Sequence, residues 1–172
     1  MMRSSSSDKG DNKEKARQAA LRKLSSGDRT EKEILDVLSR WGCSSEESSE
    51  IIDEFKEWGY LDDEKYCLRY FEYASSKGKA LARIVRELVQ KGIPAEKVRA
   101  VLDDVPADER GKALAAAMKM ARSQAEIGKP LDDKFLTRVG RRLSSLGYDS
   151  GICYFVIGKI REYAKEINKE DE

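Results

Sequence analysis

The chain has 172 residues, of which 40% are hydrophobic and 38% charged. That charged share is well above the roughly 25% of an average globular protein, so there is little apolar material for one large spherical core. A net charge of +1 excludes a bulk electrostatic pull on nucleic acid, and any such binding has to come from local clusters of cations.

The opening stretch, residues 1–12, is rich in Ser, Asp and Lys with no apolar run. It is expected to be a disordered tail and not a signal peptide. Beyond it the pattern is helical throughout, and the helices fall into repeats anchored on three glycines. Leu38-Ser-Arg-Trp-Gly42, Leu88-Val-Gln-Lys-Gly92 and Leu143-Ser-Ser-Leu-Gly147 end alike, with the glycines 50 and 55 residues apart. Four positions before each glycine stand Leu38, Leu88 and Leu143, and eight before stand Ile34, Ile84 and Val139. Nine, ten and thirteen positions after it stand Ile51, Val101, Val156; Ile52, Leu102, Ile157; and Phe55, Val105, Ile160. Steps of four before the glycine and of one, three and four after it mean one amphipathic helix ending there and a second beginning shortly afterwards.

In chain order the spacing predicts helices at 13–25, 30–41 and 45–58, then 63–75, 78–91 and 95–104, then 108–126, 131–146 and 150–167. Thr30 with Glu33 and Ser44 with Glu47 read as capping boxes, Asp149 as an N-cap, and Pro94 as a first-turn residue. Each glycine is the expected left-handed stop. The fold class is therefore all-α, three tandem three-helix repeats forming an elongated curved array. The repeats are placed at 13–60, 61–106 and 107–168.

Several kinds of chemistry are missing. There is no histidine, which removes the commonest general base and metal ligand and every Ser-His or Cys-His nucleophile. Cys43, Cys67 and Cys153 are dispersed without C-x-x-C spacing and are expected to be buried reduced thiols. No Gly-rich phosphate loop occurs, and the acid pairs Asp62-Asp63 and Asp132-Asp133 sit where helices start, which suits capping and the helix dipole better than catalysis. No enzyme, cofactor or metal is expected, and no run is long enough to span a membrane.

The informative charges lie on the second helix of each repeat. Six, nine and thirteen positions before the glycine stand Arg86, Arg83 and Lys79 in the second repeat and Arg141, Arg138 and Lys134 in the third. In the first repeat the same positions hold Asp36, Glu33 and Arg29. Steps of three and four place such residues on one helix face. Arg142 adds to the third-repeat row. Rows of this kind suit phosphates or an acidic protein groove, and they equally suit a plain solvated face. The aromatic cluster Tyr66, Tyr70, Phe71 and Tyr73 reads as packing in preference to base stacking.

The string Gly59-Tyr-Leu-Asp-Asp63, followed by Arg83-Ile-x-x-Glu-Leu-x-x-Lys-Gly-Ile93, resembles the RecX family. The likeness is clearest over residues 16–105 and looser around Arg141-Arg-Leu143 and Gly147-Tyr148. This resemblance implies a cytoplasmic, non-enzymatic regulator; a monomer is expected, though the sequence itself does not give the oligomeric state. Its partner would be the RecA protein filament on single-stranded DNA, whose groove it occupies and whose ATPase and strand exchange it restrains. Lys79, Arg83, Arg86, Lys134, Arg138, Arg141 and Arg142 are the candidate residues for contact with the filament or with DNA phosphates. An autonomous DNA-binding protein and a scaffold for another partner are the alternatives. Repeat one departs from the pattern by lacking the basic triplet.

Overall fold

The computed structural model describes residues 6–106 and 108–170. Among them there are nine α-helices and no strand. They are α1 (Ser6–Ser25), α2 (Glu31–Arg40), α3 (Ser45–Glu57), α4 (Asp63–Ser76), α5 (Leu81–Gln90), α6 (Ala95–Leu102), α7 (Glu109–Glu126), α8 (Asp133–Leu146) and α9 (Ser150–Glu170). The all-α prediction of three helices per repeat agrees with this order. α1 differs at its start: residues 6–12, expected to be unstructured, form its first turns, while 1–5 lie outside the described residues. Charge spacing supports that extension, since Asp11 pairs with Lys15 four residues on, at 2.5 Å. α6 is shorter than expected and ends before Val105, which is half-buried beyond the helix.

The glycine-anchored periodicity has a local cause visible three times over. Gly42, Gly92 and Gly147 adopt φ of 80, 93 and 95°, the left-handed region that L side chains avoid. In each case the amide of the following residue reaches back to the aligned leucine, Cys43 to Leu38, Ile93 to Leu88 and Tyr148 to Leu143, at 3.2, 3.3 and 3.2 Å. The glycine amides bond to Ser39, Val89 and Ser144. This is the Schellman closure, which satisfies carbonyls that a helix end leaves open. The leucines themselves are fully buried or nearly so. The helix starts agree equally well: Thr30 with Glu33 and Ser44 with Glu47 form the two capping boxes, and Asp149 accepts from Ile152.

Compact units do not coincide with repeats. The first comprises 1–70 and 87–103, and the second 71–86 and 104–172, so the middle repeat contributes residues to both. In the first unit Ala16, Ala20, Ile34, Leu38, Ile51, Ile52, Phe55 and Leu61 form a buried cluster. Lys13–Glu50 and Arg17–Glu54 ion pairs, at 2.5 and 2.6 Å, hold α1 to α3. In the second unit Ala80 from the middle repeat is buried with Ala113, Ala117 and Ala121 of α7, Phe135, Val139 and Leu143 of α8, and Val156 and Ile160 of α9. The alanines of α7 allow its close approach to α8 and α9.

Each unit contains one junction between consecutive repeats, and the two junctions use the same chemistry. In the first, Thr30 at the start of α2 is fully buried and its hydroxyl donates to the carbonyl of Lys91 at 2.8 Å, just before Gly92. The Glu31 amide donates to Asp63 at 3.0 Å, the opening residue of α4. In the second, the Ala80 amide at the start of α5 donates to the carbonyl of Leu146 at 2.9 Å, just before Gly147. The Leu81 amide donates to Glu109 at 2.8 Å, the opening residue of α7. Thus the positive N-terminal end of one repeat's middle helix rests on the negative C-terminal end of the next repeat's middle helix. The acid that opens the next repeat's leading helix caps it. Side chains pack under the glycines as well: a Cβ at Gly92 would collide with Lys32, and one at Gly147 with Arg83.

Burial pushes the Asp63 carboxyl above its usual range, partly offset by the hydrogen bond from Glu31. Because the folded value lies above the unfolded 3.8, the stability this group contributes is fully present only below 3.8 and declines as pH rises through the folded value. Asp63→Asn keeps an acceptor for the Glu31 amide and is expected to be at least as stable as the parent at pH 7, with a flatter pH profile above pH 4. Asp63→Ala orphans that amide and is expected to cost about 1–3 kcal/mol in urea unfolding. Gly147→Ala is expected to lose more than the roughly 1–2 kcal/mol of a left-handed alanine, since Arg83 must also move. A neutral Gly147→Ala would contradict the junction geometry.

Candidate interaction surface on α8

α8 carries a buried stripe and a basic one. Phe135, Leu136, Val139, Leu143 and Leu146 face inward. Lys134, Arg138, Arg141 and Arg142 are exposed, and their steps of four, three and one set them on the side away from that stripe. Among the described residues, none of these four cations makes an ion pair. Arg138 donates to the Gln124 side chain and lies over the Phe135 ring at 5.1 Å, both uncharged partners. The one acid in the helix, Asp133, is turned toward Arg161 at 3.7 Å. Asp132 is the N-cap, accepting from Phe135 at 2.9 Å, as its position suggested.

The second-repeat row is built differently. Lys79 lies in the turn before α5, half-buried, so helical spacing does not carry it onto the same face as Arg83. Arg83 is half-buried and donates to the carbonyl of Ser145, with its Cβ against Gly147. It therefore closes the C-terminal end of α8 and serves packing, not an outward row. Only Arg86 of that triplet is exposed. In the first repeat the acids at the equivalent positions have structural tasks: Glu33 completes the capping box and Asp36 pairs with Lys32 at 2.5 Å. Within the second unit, then, one helix presents a continuous basic face, and Arg83 meets it end-on at Ser145.

Three of the four clustered aromatics, Tyr66, Tyr70 and Phe71, are half-buried. Tyr66 and Tyr70 stack at 6.2 Å with Lys91 over both rings, at 5.8 and 5.7 Å. The Tyr70 hydroxyl donates to Glu87 at 2.7 Å, and burial together with that carboxylate pushes its pKa up to about 12. Phe71 lies under Lys112 at 5.5 Å, while Tyr73 remains exposed. Of the three thiols, Cys67 and Cys153 are buried, and Cys43 is only half so. Burial raises the Cys67 pKa to about 11, an unreactive thiol. No group of three or more metal-ligating side chains occurs among the described residues, and none of their helices is long and apolar enough to cross a membrane.

The described residues thus form nine α-helices, of which α8 presents an exposed basic face. Comparison with known proteins shows what this chain is similar to. The family model described as RecX, first three-helix domain, matches residues 16–55. Regulatory protein RecX of Salmonella typhimurium is 37% identical over 82 residues, which cover 46% of this chain and 45% of that protein. The protein of the same name from Salmonella typhi matches to the same extent. The chain thus spans a little under half the length of these curated relatives. The crystal structure of RecX from Lactobacillus salivarius superposes with a TM-score of 0.70 at 23% identity, covering 88% of this chain and 98% of that one. A second crystal structure, of a regulatory protein RecX, gives 0.65 at 22% identity, covering 87% and 73%. The chain is thus similar to the first three-helix domain of RecX over residues 16–55 and shares the fold of the RecX crystal structures.

The two classes of arginine are separable by stability. Arg83→Ala is expected to destabilise by about 1–2 kcal/mol through the loss of a carbonyl partner and of packing. Arg141→Glu and Arg142→Glu are expected to stay within about 0.5 kcal/mol of the parent in thermal unfolding. Equal losses at Arg83 and Arg141 would show that both are surface residues or both structural.

Proposed function

We propose that the chain is a non-enzymatic regulator that binds a RecA filament on single-stranded DNA and restrains its ATPase and strand exchange, with the basic face of α8 as the principal contact. The observation that carries this reading is the row Lys134, Arg138, Arg141 and Arg142: four exposed cations in nine residues, none of them ion-paired among the described residues. Holding like charges along one helix without counter-ions costs self-repulsion, and an anionic partner relieves it. Carboxylates of a protein groove and DNA phosphates both suit guanidinium forks. The balanced net charge of +1 favours a composite partner over bare DNA, because away from α8 the acids and bases nearly cancel. Arg86 is a secondary contact; Arg83 braces the end of α8 through the Ser145 carbonyl. The likeness to curated proteins named regulatory protein RecX supports the same reading.

Added to RecA on single-stranded DNA, the chain is expected to suppress ATP hydrolysis at substoichiometric amounts. The quadruple variant Lys134→Glu, Arg138→Glu, Arg141→Glu, Arg142→Glu is expected to lose that suppression while keeping its helical circular dichroism. Undiminished suppression by the folded quadruple variant would remove α8 from the account. Tight, salt-sensitive binding to bare DNA without effect on RecA would replace the filament reading with an autonomous DNA-binding one.

A further inference from the structure

The three middle helices end alike, so their last carbonyls pose the same problem, and the chain solves it three times. The carbonyl just before the left-handed glycine belongs to Trp41 after α2, Lys91 after α5 and Leu146 at the end of α8. Lys91 is met by the Thr30 hydroxyl and Leu146 by the Ala80 amide, each from the middle helix of the repeat before. For α2 there is no earlier repeat among the described residues. The Trp41 carbonyl is met instead by the Asn12 side-chain amide, from the part of α1 that extends beyond the expected helix start. The same atom lies beneath Gly42, 3.4 Å from where a Cβ would stand, as Lys32 lies beneath Gly92 and Arg83 beneath Gly147. Next to it Lys13 pairs with Glu50 at 2.5 Å and fixes this part of α1 on α3.

We infer that the first turns of α1, through Asn12, are a built-in end cap: they occupy the surface that, at both other equivalent helix ends, seats a preceding repeat, and they close that end to a second copy of this chain. A second copy has a suitable element to offer. The first turn of α8 is exposed at Asp132, Asp133 and Lys134, and among the described residues no acid from another helix caps it as Asp63 caps α2 and Glu109 caps α5. Its positive N-terminal end complements the negative C-terminal end of α2 in the sense used at both internal junctions. A contact of that kind joins different surfaces of the two copies and so does not close on itself. End caps of this sort are what keep repeat arrays from growing.

Cys43 reports on the cap directly, since it follows Gly42, lines a cavity with Asn12 and Lys13, and is the one thiol that is not buried. Site-resolved maleimide labelling of the full chain is compared with Asn12→Ala and with a chain lacking residues 1–12. Cys43 is expected to label about five- to tenfold faster in both variants, the equivalent of one net hydrogen bond, while Cys67 and Cys153 keep their rates. In sedimentation, the shortened chain is expected to associate reversibly at concentrations where the full chain does not. An unchanged Cys43 rate in both variants, or a shortened chain that shows no more association than the full one, overturns the inference. Faster labelling of all three thiols does the same, because it marks general unfolding.

Discussion

The structure depends on a helix end. Each middle helix stops at a glycine in the left-handed conformation, and the carbonyls left there are met by the start of another middle helix or by something standing in its place. A helix terminus leaves four donors or four acceptors open, and neither can be buried unpaired without a cost of about 1–3 kcal/mol each. Seating the N-terminal end of α2 on the C-terminal end of α5, and that of α5 on α8, satisfies both kinds at once and aligns the dipoles favourably. The acids Asp63 and Glu109, each the first residue of the following repeat's leading helix, lock the arrangement from the side.

That constraint explains why contacts divide the chain through its middle repeat. A repeat of about 50 residues buries too little to be strongly stable alone, and the junction supplies the remainder. The dense regions are therefore junctions, with Thr30 and Asp63 in one and Ala80, Arg83 and Glu109 in the other. It also explains which cations are left for function. Arg83 lies at a junction and is spent on the end of α8, whereas Lys134, Arg138, Arg141 and Arg142 stay exposed on α8 without an ion pair among the described residues.

Much of this was legible in the sequence because it is local. The aligned Leu and Gly positions mark helix ends, and Thr30, Ser44, Asp132 and Asp149 cap the helices they precede. What was not legible is what the ends touch. Thr30 and Lys91 are 61 positions apart, and no spacing rule links them. Asp63 and Glu109 play one role, yet they stand 29 and 38 residues before their repeat's glycine, so aligning on glycines hides them. Charge periodicity misled at Arg83 for a related reason: position on a helix face fixes direction, but a neighbouring helix end decides whether that direction leads to solvent. Lys79 misled more simply, since Gly78 at φ 78° holds it in a turn outside α5.

Amides at the start of α2 and α5 are held by the repeat that follows. First-turn amides normally exchange fast, because they have no intrahelical acceptor. Hydrogen exchange resolved at single amides puts the claim to the test at Glu31 and Leu81, with Asp133 at the start of α8 as the comparison. Slow exchange is expected at Glu31 and Leu81, approaching that of the helix interiors, with fast exchange at Asp133. Fast exchange at all three would contradict it.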